Sequence, residues 1–166
     1  MRNITEKDLS TIPAPFHVPV QKWFKALQER ALPSIDDFTK TSYELEEFRM
    51  LSKVKQDPLD VFYYEASPRL EKLYGGDLAG KNLNELYDDF FRKRAYEAYA
   101  QLIEDKQPTY EHRGFSTIIG DIGYYKLHLP FGDETVEAVA TYIMPTSGII
   151  RKRFDWTRLF DKTPWF

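Results

Sequence analysis

The stretch that decides the fold runs from Val61 to Tyr87 and reads VFYYEASPRLEKLYGGDLAGKNLNELY. Its first residues are aromatic and β-branched, which favours a short strand. Ser67 and Pro68 then suit the cap and first turn of a helix, and Gly75-Gly76 is a typical end for it. The leucines that follow alternate with turn residues. We therefore expect them to hold short helical segments against a core.

The segments on either side of this stretch predict further strands and one long helix. Phe48–Val54 is expected to form a hairpin with Val61–Glu65 around the turn Gln56–Asp60. Asp88–Asp105 predicts an amphipathic helix, with its apolar residues at Phe91, Ala95, Ala98, Tyr99 and Leu102. Three more strands are predicted at Thr109–Ile119, Tyr124–Phe131 and Val136–Met144, joined by turns at Gly120–Gly123 and Gly132–Glu134.

The N-terminal part predicts an arm followed by a helix. Met1–Val18 lacks a hydrophobic period and is interpreted as a flexible or loosely packed arm. Pro19–Ala31 has the spacing of an amphipathic helix. Its apolar face could lie on the chain's own sheet or serve as a dimerisation face, with Val20, Trp23, Phe24 and Leu27 as the contact residues. The predicted organisation is an arm at 1–18, a helical extension at 19–47, a domain at 48–144 and a tail at 145–166.

Composition excludes several classes of function. The chain has 166 residues, enough for one core, and 16% of them are aromatic. A net charge of −3 argues against a general nucleic-acid binder, which needs a concentrated basic surface. There is no cysteine, so disulfides and thiolate chemistry are impossible. With no apolar run of membrane-spanning length, we expect a soluble cytoplasmic protein without an integral membrane segment.

The order of elements and a glycine-leucine motif resemble PAS domains, in particular stand-alone bacterial PAS-like proteins. The matching residues are Gly75, Asp77, Leu78, Gly80, Glu85 and Leu86, followed later by Leu127, Leu129, Pro130, Gly132 and Asp133. Ser67-Pro68 departs from the pattern, which more often has glycine there. The resemblance implies an α+β fold: a five-stranded antiparallel sheet in the order 2-1-5-4-3 with helices on one face, here preceded by the N-terminal helix. It also implies homodimers and small molecules bound between sheet and helices, and it transfers no catalytic residue.

The candidate ligand-binding residues lie on the strands and on the long helix. They are Tyr63, Phe91, Tyr99, Leu127 and Tyr142. In the strand Tyr124–Phe131 the apolar residues alternate with Tyr124, Lys126 and His128, which predicts one core face and one wetter face. On this pattern His128 is interpreted as a surface residue, or as a pH-sensitive contact at a partner surface.

Cofactor and enzyme chemistry have little support in the sequence. Haem is disfavoured because the long helix has no histidine, which leaves His112 as the candidate axial ligand. A flavin adduct needs the cysteine that is missing, and nothing indicates non-covalent flavin. His17, His112 and His128 lack metal-ligand spacing. Tyr63, Glu65, Glu111 and His112 could serve an isomerase-like or hydratase-like enzyme only if they faced one pocket; otherwise they are ordinary strand residues.

The tail from Ile149 is basic and aromatic, with five Arg or Lys and two Asp. It could dock on a partner or on an anionic membrane surface, or fold back onto the domain. The leading hypothesis is a PAS-like sensory module without an effector domain, which binds a small molecule or a signalling-protein partner and signals by contact. The alternatives are a ligand-free interaction adaptor and a small α+β enzyme.

Overall fold

A computed structural model describes residues 1–27, 30–39, 45–86, 89–117 and 120–146 of the chain. In this part of the chain seven strands form one sheet with antiparallel neighbours throughout. The strands are β1 (Arg2–Asn3), β2 (Arg49–Gln56), β3 (Leu59–Ala66), β4 (Lys81–Asn82), β5 (Thr109–Thr117), β6 (Gly120–Gly132) and β7 (Val136–Pro145). Their order across the sheet is β1-β5-β6-β7-β2-β3-β4.

The predicted strand order is confirmed for the five long strands. β3-β2-β7-β6-β5 is the arrangement 2-1-5-4-3 once the two edge strands are set aside. The expected count of five is corrected to seven, because β1 and β4 add two residues each at opposite edges. The fold is therefore α+β and PAS-like, with extra edge pairing.

Five α-helices lie in the described residues. They are α1 (His17–Ala26), α2 (Ile35–Thr39), α3 (Pro68–Tyr74), α4 (Leu83–Leu86) and α5 (Asp89–Asp105). Short 3-10 turns occur at Glu6–Thr11, Ala14–Phe16 and Glu46–Phe48. None of the described helices has the length and apolarity that crossing a membrane would require.

The stretch from Val61 folds as its local signals predict, up to Leu86, since Tyr87 lies outside the described residues. The Ser67 hydroxyl accepts a hydrogen bond from the Leu70 amide at 3.2 Å, which caps α3. Gly75 ends α3 with φ of 85°, a left-handed conformation that favours glycine. Leu78 and Leu83 are almost fully buried, so the leucines do hold these short segments on the core.

Helices cover both faces of the sheet, whereas the sequence predicted one dry and one wetter face. One face, which we call the α5 face, carries His128, whose ring lies 6.0 Å from that of Tyr99 on α5. The other, the N-terminal face, carries Phe131, whose ring lies 4.9 Å from that of Phe38 on α2. His128 is consequently 3% exposed, so its assignment to the surface is wrong.

The first eighteen residues form part of the core, contrary to the expectation of a flexible arm. β1 pairs with β5, and the Arg2 guanidinium lies 5.5 Å from the centre of the Tyr110 ring. Ile4 and Phe16 are fully buried. The expected arm packs because three of its scattered apolar residues, Ile4, Ile12 and Phe16, enter the buried core although they follow no helical or strand period.

The N-terminal helix lies on the chain's own sheet. α1 begins at His17 rather than Pro19 and ends at Ala26 rather than Ala31. Val20 and Trp23 are fully buried, and Trp23 Nε1 donates to the Pro130 carbonyl at 2.6 Å. Phe24 and Leu27, the other two residues assigned to dimerisation, are partly buried against the same core. Val20 and Trp23 are therefore core residues and not a free dimerisation face.

The predicted turn at Gly120–Gly123 is wrong, because these residues extend β6. Gly123 pairs with Gly114, and pairing with β5 continues to Gly120 and Thr117. A Cβ atom on Gly123 would lie 2.2 Å from the Arg113 carbonyl oxygen. Glycine is needed here for the close approach of two strands and not for a turn.

Candidate functional site

A cavity of about 270 Å³ lies between the α5 face of the sheet and the helices α3 and α5. This is the place in which the resemblance predicts a ligand. The sheet contributes Met50, Tyr63, Glu111, Arg113, Tyr124, Lys126, His128, Ile143 and Pro145 to its wall. The remaining lining residues are Met1, Leu70, Leu73, Tyr74, Leu78, Arg94, Ala95, Glu97, Ala98, Tyr99 and Gln101.

The cavity changes from polar to apolar across the sheet. Its lining residues on the neighbouring strands β5 and β6 are all polar, charged or aromatic with a hydroxyl. On the far side, β2 contributes Met50 and the segment from α3 contributes Leu70, Leu73 and Leu78. A bound molecule would therefore meet charged groups at one end and a hydrocarbon wall at the other.

An ion pair forms the wall at the polar end. Arg113 Nε donates to Glu111 Oε1 at 2.6 Å, and the two side chains are 21% and 15% exposed. Burial by itself would raise the pKa of Glu111, but the Arg113 hydrogen bond and the nearby Lys126 charge outweigh it and lower the pKa. Glu111 is therefore held as a carboxylate.

Lys126 lies directly opposite Glu111 in the pairing of β5 with β6. Burial lowers the pKa of its ammonium group to about 8, against the opposing pull of Glu111. Within the described part of the chain, it makes neither a hydrogen bond nor an ion pair. A partly buried ammonium group without a contacting anion is unfavourable, so binding of an anion at Lys126 would be favourable.

His128 lies two residues further along β6, on the same face. Its Nδ1 is 3.0 Å from Thr141 Oγ1, while its Nε2 is buried without a hydrogen-bond partner among the described residues. Burial, aided by the Lys126 charge, lowers its pKa well below the usual range, so the ring is neutral. Thr109, its neighbour across to β5, also has a buried Oγ1 without such a partner. Unpartnered buried polar atoms of this kind indicate room for a water or ligand atom.

Tyr99 connects the helix to the floor of the site. Its hydroxyl is 3.0 Å from Ser52 Oγ on β2, and its ring meets the His128 ring edge-on. Burial raises the pKa of this phenol, which therefore stays protonated and can donate. α5 is thus fixed to the sheet by a polar contact next to the cavity, where a ligand could alter it.

The five predicted ligand-binding residues divide between the two faces. Tyr63 and Tyr99 line the cavity. Leu127 and Tyr142 pair with each other across β6 and β7, are fully buried, and lie on the N-terminal face. The side chain of Phe91 lies outside the described residues.

Sequence reasoning missed Lys126 and His128 as site residues. Their alternation with Leu127 and Leu129 is visible in the sequence, but alternation shows only which residues share a face. Because the N-terminal segment covers the face with the leucines, the polar set faces the helices. The signal available in the sequence was Lys126 and His128 themselves, two polar residues that alternate with the leucines of a core strand.

The four residues considered for an enzyme do not converge. Tyr63 and Glu111 line the cavity, whereas His112 is exposed on the opposite face with its ring 4.7 Å from that of Tyr125. Glu65 is on β3, 48% exposed and paired with Arg49. His112 therefore cannot act with Glu111 on one substrate, and it does not reach the cavity as a haem ligand. Among the described residues there is also no cluster of metal-ligating side chains.

Burial of neutral His128 should make the protein sensitive to acid. In the unfolded chain a histidine binds a proton near pH 6.5, whereas in the folded protein the lowered pKa of His128 opposes its protonation. The free energy of unfolding should therefore fall as the pH drops below about 6.5, by up to about 1.4 kcal/mol per pH unit from this group. Urea unfolding of the wild type and of His128→Gln at successive pH values measures this difference.

The exposed His112 provides the control for that titration. His112→Gln should keep the slope of the wild type, and His128→Gln should lose part of it. An unchanged slope in His128→Gln would mean that this ring is not buried as described.

Comparison with known proteins gives no match to any family model and none to a curated protein. Among solved structures, a domain of HTR-like protein from Haloarcula marismortui is 13% identical, with a TM-score of 0.43 over 60% of this chain and 98% of that one. The PAS domain of Bordetella pertussis BvgS is 12% identical, with a TM-score of 0.39 over 72% of this chain and 93% of that one. At such TM-scores the likeness carries no argument. The PAS-like fold is shown by the strand order and by the placement of α3 and α5 on one face of the sheet.

Proposed function

We propose that this chain is a PAS-like sensory module that binds a small molecule between α5 and the sheet. The observation that supports this most is the partly apolar cavity with His128 Nε2 on its wall, a buried polar atom without a hydrogen-bond partner among the described residues. Ligand sites of this kind combine an apolar surface with a few polar groups that orient the molecule. The resemblance to PAS domains implies a ligand in the same layer, which supports the proposal.

The proposed signal is a shift of α5 relative to the sheet. Tyr99 joins the two layers through Ser52 and borders the His128 ring, so a molecule next to it would compete for these contacts. A ligand changes a conformational equilibrium only through contacts that differ between the two states. The Tyr99 hydroxyl supplies such a contact, and α5 would present the change to a partner protein or to a second copy of the chain.

An adaptor without a ligand is the second candidate. The cavity volume of about 270 Å³ is just below the range of roughly 300–1,000 Å³ typical of ligand sites. An adaptor would use the same fold with this space closed or filled by water. The expectation that neither haem nor flavin is bound stays a prediction for both candidates, and an absorption spectrum of the purified protein tests it.

A homodimer also stays a prediction, and it would need a surface other than the buried part of α1. Val18, which is 48% exposed, is an exposed apolar residue of that helix. The mass of the intact assembly under native conditions distinguishes monomer from dimer directly.

Filling the cavity should remove the retained molecule. Ala98 lines the cavity, whereas Ala100 on the same helix is exposed. Native mass spectrometry of gently purified protein should show an added mass in the wild type and in Ala100→Phe, and none in Ala98→Phe. An absent added mass in the wild type, together with no stabilisation by a small-molecule library, would favour the adaptor.

A further inference from the structure

At the polar end of the cavity, Glu111, Arg113 and Lys126 supply two positive charges and one negative charge. Glu111 contributes one carboxylate and contacts Arg113 through Oε1. Lys126 lies beside this pair, opposite Glu111, and has no contacting anion among the described residues. These three side chains therefore have a net charge of +1. The other two charged side chains of the lining, those of Arg94 and Glu97, cancel each other in the count, so a ligand with a single negative charge would balance the total.

The neutral His128 ring lies next to this charge and adds a directed donor in the tautomer that carries its proton on Nε2. Lys126 and His128 are two residues apart on one face of β6, which places their Cα atoms about 7 Å apart. When the Thr141 hydroxyl donates to Nδ1, the ring proton is on Nε2, which lacks a partner among the described residues. An ammonium group and a ring N–H on the same wall could each donate to one oxygen of a carboxylate.

The other end of the cavity requires an apolar ligand body. Leu70, Leu73 and Leu78 form its wall beside Met50. Across β7 the lining residues are Ile143 and Pro145, so the apolar surface begins directly beyond β6. A doubly charged phosphate ester would exceed the net positive charge of the lining side chains, and a purely polar ligand would leave this apolar wall unmatched.

We propose that the cavity binds a small monocarboxylic acid, with its carboxylate on Lys126 and His128 and its apolar body directed towards α3. This inference rests on the proposed function, because it names the ligand class of the same site. Lys126 supplies the charge that selects an acid over a neutral molecule. His128 orients the carboxylate, and Ala95 and Ala98 on α5 leave the space above it.

Calorimetric titration with acid and amide pairs tests the proposal near neutral pH. The panel consists of butyrate, hexanoate, octanoate and phenylacetate, each compared with its neutral amide. At least one acid should bind, and its amide should bind about tenfold more weakly or worse, since only the acid can form a hydrogen bond between two charged groups with Lys126. Lys126→Met should lose about tenfold or more in affinity for that acid, while Lys93→Met, an exposed lysine on α5, should bind like the wild type.

Lys126→Arg keeps the charge and should keep the preference for the acid, which separates loss of charge from loss of structure. Equal affinity for acid and amide, or full affinity in Lys126→Met, would overturn the proposal. So would failure of every acid in the panel to bind. In each of these cases a retained mass that disappears in Ala98→Phe would still support a ligand site, so the two proposals can fail separately.

Discussion

Trp23→Ala is expected to lower the free energy of unfolding by about 3–5 kcal/mol. The indole is fully buried, and its Nε1 donates to the Pro130 carbonyl at 2.6 Å. Removing it would leave both a cavity between α1 and the sheet and a carbonyl without its donor. Urea unfolding followed by far-UV circular dichroism measures the change, and this effect should be independent of protein concentration.

Val18→Ala is the matched control, because Val18 belongs to the same helix and is 48% exposed. It should change the free energy of unfolding by no more than about 0.5 kcal/mol. If Trp23→Ala had an equally small effect on the isolated chain but dissociated a dimer, α1 would be a dimerisation helix and the N-terminal face would be open.

Gly123→Ala is expected to lower the free energy of unfolding by about 2–4 kcal/mol, a range that extends above the roughly 1–3 kcal/mol of ordinary overpacking. The new Cβ would lie 2.2 Å from the Arg113 carbonyl oxygen and 2.9 Å from the Gly114 Cα, both of which are backbone atoms. The strands would have to separate at the position that carries the Arg113 side chain. We therefore expect lower stability and a disturbed wall at the polar end of the cavity.

Gly114→Ala, on the paired residue, is the control for this substitution. Its Cβ would approach no closer than 3.7 Å to the His112 ring, which is ordinary contact. The free energy of unfolding should change by no more than about 0.5 kcal/mol. Equal losses in the two variants would show that β5 and β6 do not approach each other as closely as described.

Local signals predicted most of the fold, because they act within a few residues. The Ser67 cap, the left-handed Gly75 and the stripe of α5 ending in Tyr99 and Leu102 all lie where the sequence placed them. The turn predicted at Gly120–Gly123 is wrong because glycine occurs both in turns and where two strands approach closely. Only the pairing of β5 with β6 distinguishes the two cases. The basic tail from Ile149 lies outside the described residues, so its role stays a prediction.

The sequence predicted that the site lies between the sheet and the helices, but not which side chains of each strand face it. Of the predicted ligand-binding residues, Tyr63 and Tyr99 line the cavity, whereas Leu127 and Tyr142 lie on the opposite face of the sheet. Long-range packing decides this choice: Trp23 donates to the Pro130 carbonyl of β6, and the Phe16 ring contacts that of Tyr110 on the neighbouring β5. An N-terminal segment without regular period gives no sign in sequence of where it will pack.

The most direct test of the proposed acid site is a methyl NMR titration of the wild-type protein with each acid of the panel in turn. For at least one acid we expect saturable shifts at the cavity residues Ala98 and Ile143, and none at Leu129 and Ala140, which pair with each other on the N-terminal face. Shifts confined to Leu129 and Ala140, or no saturable shift at Ala98 and Ile143 with any of the acids, would contradict the proposal.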